Sequence, residues 1–349
     1  TGKTTFFNQF RLYIDDFTES ERKSYVLRIM VSIIESIQKI FAYVKSNDES
    51  ASFENEDLIE EINKIKIEDI RKSYTIPPDL FDKIKTVWND PIISKKYSEL
   101  WKKLHLCEFV NDFIPKIPKY KESDYVPENS EILRTKMCTI NNNINNRIND
   151  DNYLSTSTLS TSPQMLAFSY RDMVLLLRDA GGLRCHRDKW KNITFDGGLF
   201  FVSLADFNQP VLDDSNEASL KSSSESIDSN DDKKVNDFQI FESLRLFKKT
   251  ITKFFPSPLK PLFVLFTKYD LFEKMISNDS ECFKNVFPDF DGDVSKPDQC
   301  QKYIGNIFAQ AALECNPDLK FKVCTTIDCL NQTSVFLTIK KIVKQLKKL

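Results

Sequence analysis

The spacing of apolar and polar positions divides the chain into two regions of different period. From Val26 to Val44, apolar residues recur three and four apart: Val26, Met30, Ile33, Ile37, Ile40 or Phe41, and Val44. That spacing predicts one long helix burying a single apolar face. A polar break over 45–56 follows, then shorter helical patterns from Leu58 to Leu104, punctuated by Pro77-Pro78 and Asp90-Pro91. A proline-marked passage from Pro115 to Pro127 closes the helical region.

Beyond it the pattern changes. Met173–Leu177, Leu199–Val202 and Leu262–Phe266 are short, continuous apolar runs, and Phe321–Cys324 is a weaker fourth. Helical patterns near 239–253, 299–313 and 333–348 alternate with them. This alternation predicts central parallel strands of an α/β sheet. Residues 141–164 are rich in Asn, Ser and Thr, and residues 213–236 are acidic and Ser-rich. Neither can supply a core, so both are expected to be disordered surface inserts.

Four short motifs carry the chemistry. Gly2-Lys3-Thr4 is the end of a phosphate-binding loop, where a small residue lets backbone N–H groups approach phosphate. The Lys then reaches the β/γ oxygens and the hydroxyl takes Mg²⁺. Alone, such a tripeptide is weak evidence. Asp179-Ala180-Gly181-Gly182 follows one apolar run, an arrangement in which the Asp holds Mg²⁺ through water and a Gly N–H meets the γ-phosphate. Thr267-Lys268-Tyr269-Asp270 follows another. A carboxylate there accepts from N1–H and the exocyclic amine of guanine, a donor pair that adenine lacks, and so selects GTP over ATP. Cys324-Thr325-Thr326 after the fourth run suits a backbone contact to the guanine carbonyl. Strand ends are where doubly wound sheets bind ligands.

Composition narrows the partners. The 349 residues suffice for two ordinary domains, and 41% of them are hydrophobic. Forty-nine basic and 51 acidic residues leave a net charge of −2, which argues against a nucleic-acid binder. Eight cysteines without a C-x-x-C pair, beside two histidines, read as buried thiols of a reducing compartment and not as a zinc site. No apolar run reaches the ~18–20 residues of a membrane-spanning helix. The chain opens on Thr1, inside a motif and without an initiator Met, so a fragment is expected, with any lipidation signal outside it.

The interval between Lys3 and Asp179 and the local motifs resemble a heterotrimeric G-protein α subunit. Ile132-Leu133-Arg134-Thr135-Lys136-Met137-Cys138-Thr139 is similar to that family's switch I. Asp179 through Trp190 is similar to its switch II, and Val202–Phe207 and Phe266–Phe272 continue the match. The resemblance implies a Ras-like P-loop α/β nucleotide-binding domain with an inserted all-α domain. The end of the P-loop and the first helix would occupy 1–15, the helical insertion 16–128, and the rest of the Ras-like domain 129–349. It implies GTP/GDP and Mg²⁺ as cofactors, with Gly2, Lys3 and Thr5 at the phosphates and Thr4 and Thr139 on the metal. Asp179 would stand in the metal's outer shell and Gly182 at the γ-phosphate. Leu133 and Arg134 would lie near the ribose, and Thr267, Lys268, Asp270 and Thr325 at the base. A βγ dimer would contact Arg184, Arg187 and Trp190. Receptor and effector contacts would follow, with peripheral attachment at the cytoplasmic face of the plasma membrane and no nucleic acid.

The departures from the family fall on the catalytic positions. Lys136 stands where the family has the Arg that stabilises transition-state charge, and Leu183 where it has the Gln that orients water. Lysine lacks the planar fork of arginine, and leucine has no polar atom. An arginine of this kind is worth about 10³–10⁵ in rate. Slow hydrolysis is therefore expected, unless Arg134 substitutes. A pseudo-GTPase scaffold is the alternative; Asp270 and the helical insertion disfavour a P-loop ATPase or kinase.

Overall fold

The computed structural model describes residues 2–14, 16–48, 51–104, 106–135, 164–170, 173–179, 194–211, 238–256 and 260–347. The chain divides into two compact units, Arg11–Arg187 and the pair of segments Thr1–Phe10 and Asp188–Leu349.

Helix α1 is Lys3–Ile14 and α2 is Glu19–Asn47. A capping box starts α2: the Thr18 hydroxyl accepts from the Glu21 amide at 3.3 Å, and the Glu21 carboxylate accepts from the Thr18 amide at 2.9 Å. The predicted stripe is present, with Met30, Ile33, Ile37 and Ile40 fully buried. Leu27, Ile29, Val31 and Ile34 are buried as well, so α2 is enclosed on most sides instead of along one face. The cause is the ring of neighbours packed on it: α3 (Glu56–Asn63), α4 (Ile67–Ser73), α5 (Pro78–Trp88), α6 (Pro91–Leu100) and α7 (Val110–Phe113). The prolines open helices: Pro78 and Pro91 are the first residues of α5 and α6. Asp90, with no exposed surface, caps α6 by accepting from the Ile92 amide at 2.9 Å, and also accepts from the Glu54 amide at 2.8 Å. Two short helices, α8 (Ile117–Tyr120) and α9 (Asn129–Arg134), follow.

One predicted parallel strand is antiparallel. Strand β2 (Met173–Asp179) pairs with β1 (Gln164–Tyr170), with Tyr170 opposite Met173. Two residues separate these strands, a connection that permits only a hairpin, whereas parallel pairing needs a crossover of a dozen or more. The apolar run also conceals an alternation: Val174 and Leu176 are 70% and 58% exposed, while Leu175 and Leu177 are half-buried. Gln164, predicted as the last residue of the first insert, opens β1. Residues 141–163 and 213–236 lie outside the described residues.

In the other unit β3 (Gly198–Ser203), β4 (Leu262–Thr267) and β5 (Phe321–Ile327) form a parallel sheet in the order β3–β4–β5, as the apolar runs predict. Every residue of the central strand β4 is buried. Helices α10 (Gln239–Phe254), α11 (Tyr269–Asn278), α12 (Glu281–Val286), α13 (Pro297–Cys315) and α14 (Gln332–Leu346) accompany the strands. The core is built on phenylalanine, with Phe207, Phe247, Phe266, Phe272, Phe283 and Phe308 packed ring against ring.

Candidate functional site

Strand β4 delivers the first group of site residues. Thr267, its last residue, is 1% exposed and donates its hydroxyl to the Val202 carbonyl at 3.4 Å. Lys268 follows in the left-handed region, φ 58° and ψ 39°, which is uncommon for a long side chain and marks a tightly determined turn. That single residue converts strand to helix: the Phe272 amide already donates to the Lys268 carbonyl at 3.1 Å. Tyr269 donates its hydroxyl to Asp298 in the first turn of α13, tying the turn to a neighbouring helix. Asp270 sits exposed in the first turn of α11.

The phosphate motif lies at the same strand ends. Gly2 has φ +78°, and the Phe6 amide donates to its carbonyl at 2.9 Å, so α1 begins immediately after it. A Cβ on Gly2 would stand 3.2 Å from Cys329 Sγ and 3.4 Å from Thr267 Cγ2. The glycine is thus required twice, for its backbone angle and for its close approach to the end of β4. Lys3, Thr4 and Thr5 form the half-buried first turn, where helix N–H groups and the dipole favour an anion. Phe6 fixes this helix against Phe201, ring centroids 5.2 Å apart, and Gln9 Nε2 donates to the Leu330 carbonyl at 3.2 Å.

Thr325 is predicted just after the fourth strand but belongs to β5. The register passes from Leu265 opposite Cys324 to Thr267 opposite Ile327, so one residue of β4 faces two of β5. This bulge at Thr325-Thr326 interrupts the pairing at the ligand end of the sheet. Cys329 is the residue that sequence reasoning misses. It is buried against Gly2, and burial pushes its thiol up to about 12. Nothing in its sequence neighbourhood signals that contact.

Leu133, Arg134 and Asp179 belong to the unit Arg11–Arg187. Leu133 is buried, whereas the Arg134 guanidinium pairs with Asp112 at 2.9 Å and lies over the Phe109 ring. Asp179 closes β2 instead of following it. Lys136, Thr139, Gly182, Leu183, Arg184, Arg187 and Trp190 lie outside the described residues.

The profile of the G-protein α-subunit family matches residues 1–344. The chain belongs to that family. A guanine nucleotide-binding protein subunit alpha-1 from Trichomonas vaginalis is 24% identical over 330 residues, covering 93% of this chain and 70% of the relative. Membership makes the chain a guanine-nucleotide-binding signalling protein of the Ras-like-plus-helical fold class, in a family of GTPases that bind GTP and GDP and work with βγ dimers and receptors. Among the described residues no group of three or more His, Cys, Asp or Glu stands together to hold a metal. No helix among them is long and apolar enough to cross a membrane.

Proposed function

We propose that this family member is a switch that binds GTP and GDP with Mg²⁺, relays signals from membrane receptors and hydrolyses GTP slowly. The observation that carries the reading is the approach of Gly2 to Thr267 and Cys329, which sets the N-terminus of α1 beside the turn bearing Lys268 and Asp270. A phosphate cradle and a base reader at the same strand ends are what a nucleoside polyphosphate requires.

In this reading the domains run 1–15, 16–128 and 129–349. Lys3 and the first-turn amides hold the β- and γ-phosphates, and Thr5 reaches the α-phosphate. The Thr4 and Thr139 hydroxyls suit Mg²⁺, a hard cation that keeps several waters and needs no carboxylate cage; bound, it neutralises phosphate charge. Asp179 supports it from behind, and Gly182 reports the γ-phosphate. Lys268, Asp270 and Thr325 hold the base, with Leu133 and Arg134 at the ribose. Arg134 is held by Asp112, which disfavours it as a stand-in for the catalytic arginine. Switch II residues Arg184, Arg187 and Trp190 meet a βγ dimer, and the protein works peripherally at the inner face of the plasma membrane.

Lys136 and Leu183 make hydrolysis the weak step. A single-turnover assay on the full chain with GTP and Mg²⁺ tests this. Slow turnover that accelerates in the Lys136→Arg, Leu183→Gln double variant is expected; wild-type hydrolysis at the variant's rate would sink the proposal. The same two departures favour a second reading, a scaffold that engages partners independently of nucleotide. Titration with fluorescent GTP, GDP and ATP analogues separates the two, since a scaffold of that kind binds none.

A further inference from the structure

Glu131 lies within α9 with 2% of its surface exposed. Burying an ionised carboxylate is costly unless donors saturate its oxygens. Here they do. Tyr120 donates its hydroxyl to Oε1 at 2.6 Å, while Tyr125 and the Glu128 amide donate to Oε2 at 2.7 and 2.9 Å. The Lys116 ammonium stands 3.4 Å from Oε2. Burial alone pushes the carboxyl pKa up, but the hydroxyls, the amide and Lys116 outweigh it and hold Glu131 below its ordinary range. Burial and the carboxylate together push both phenols up, so they remain donors.

A helix of six residues does not hold itself together, so α9 depends on such anchors. Arg22 of α2 fixes the chain's entry to it, donating to the Pro127 carbonyl at 3.1 Å and to Asn129 Oδ1 at 2.6 Å. At its exit the Thr135 hydroxyl donates to the Glu131 carbonyl at 2.6 Å, and Arg134 is held by Asp112. Between these ends, Glu131 is the side chain that locks the helix from within.

We infer that Glu131 is a positioning residue for bound guanine nucleotide: its saturated carboxylate fixes α9 and thereby Leu133 and Arg134, the two residues that the proposed function assigns to the ribose. The inference rests on the reading of those two as ribose neighbours. Tyr120 and Tyr125 are its working partners, and none of the three touches the ligand.

The test compares dissociation of fluorescent GDP and of its 2′-deoxy counterpart from the full chain, alongside thermal melting. The variants are Glu131→Gln, Tyr125→Phe as the milder change at the same carboxylate, and Gln38→Leu as a control. Gln38 donates to the Ile62 and Ile65 carbonyls, both at 2.9 Å, between α2 and the end of α3. Glu131→Gln should release GDP about tenfold faster, near 1.4 kcal/mol, with a smaller change for the deoxy ligand. Tyr125→Phe should shift both rates in the same sense, and Gln38→Leu should lower the melting temperature without altering either. Rates unchanged in both Glu131→Gln and Tyr125→Phe, or equally changed by Gln38→Leu at equal loss of melting temperature, overturn the inference. A wild-type chain that binds no guanine nucleotide removes the site reading itself, and the inference with it, before any variant is made.

Discussion

Replacing Asp270 by alanine isolates base recognition from everything else the site does. In a nucleotide complex this carboxylate would accept two hydrogen bonds from guanine. Bonds to a charged group are worth about 1.5–3 kcal/mol each. Asp270 is solvent-exposed at the start of α11, so the lower figure applies and the loss is about 3 kcal/mol, roughly a hundredfold in affinity. The cost to folding is smaller. Removing an acidic side chain from a first helical turn costs about 0.3–1 kcal/mol, which in a domain of this size lowers the melting temperature by roughly 2–4 °C at most. Titrating wild type and Asp270→Ala with fluorescent guanine and adenine nucleotides, beside a thermal melt, reads both numbers. Guanine affinity should fall to meet adenine affinity, which stays where the phosphates set it. A variant that keeps its preference for guanine would place base recognition elsewhere. One that melts far below the wild type would make Asp270 a folding residue and refute the magnitude argument.

Gly2→Ala should weaken GDP binding, because a left-handed backbone costs an ordinary residue about 1–2 kcal/mol and the new methyl meets Cys329 Sγ at 3.2 Å. Adding Cys329→Ala should recover only the crowding part, and a single variant binding as wild type would show that the left-handed geometry is dispensable. The acid stability of the protein should report Glu131 and Glu21. For both, burial raises the pKa and hydrogen bonds with ion pairs more than reverse it, leaving the folded value below the ordinary 4.5. The unfolded chain then binds more protons, so the stabilisation is complete above the ordinary value and is lost as pH falls through the lowered one. Denaturant midpoints measured downward from about pH 6 should decline in that window, with a shallower slope in Glu131→Gln; equal slopes would contradict the shift.

The motifs and four of the five described strands are legible in the sequence because continuous apolar runs between helical patterns have few other uses. The run Met173–Leu177 is a strand, but its pairing is antiparallel for a physical reason. Met173–Leu177 is apolar throughout, yet its partner is the weakly patterned Gln164–Tyr170 beside a Ser/Thr-rich stretch, so the hairpin leaves no clear local mark. The single stripe predicted for α2 is likewise incomplete, since enclosure by five other helices is decided by tertiary packing. Contacts between residues distant in sequence are invisible for the same reason. Cys329 against Gly2 and Asp112 on Arg134 depend on how the chain returns upon itself. The Thr325 bulge is a matter of register, which no one strand specifies alone.

The division of the chain also orders its birth on the ribosome. Residues 11–187 supply one unit complete, whereas the sheet unit takes Thr1–Phe10 from one end and the rest from the other. Phe6, Phe7 and Phe10, all buried in the finished fold, emerge long before Phe201 and the segment around Leu330 that receive α1. At about 5–20 residues per second, Phe6 waits roughly 10–40 s for Phe201, and Gln9 roughly 15–65 s for Leu330. Until Phe201 emerges, the Phe6 ring lacks the aromatic partner that it meets in the finished fold. The phosphate-binding helix is therefore made before the whole of Arg11–Arg187 and seated after it.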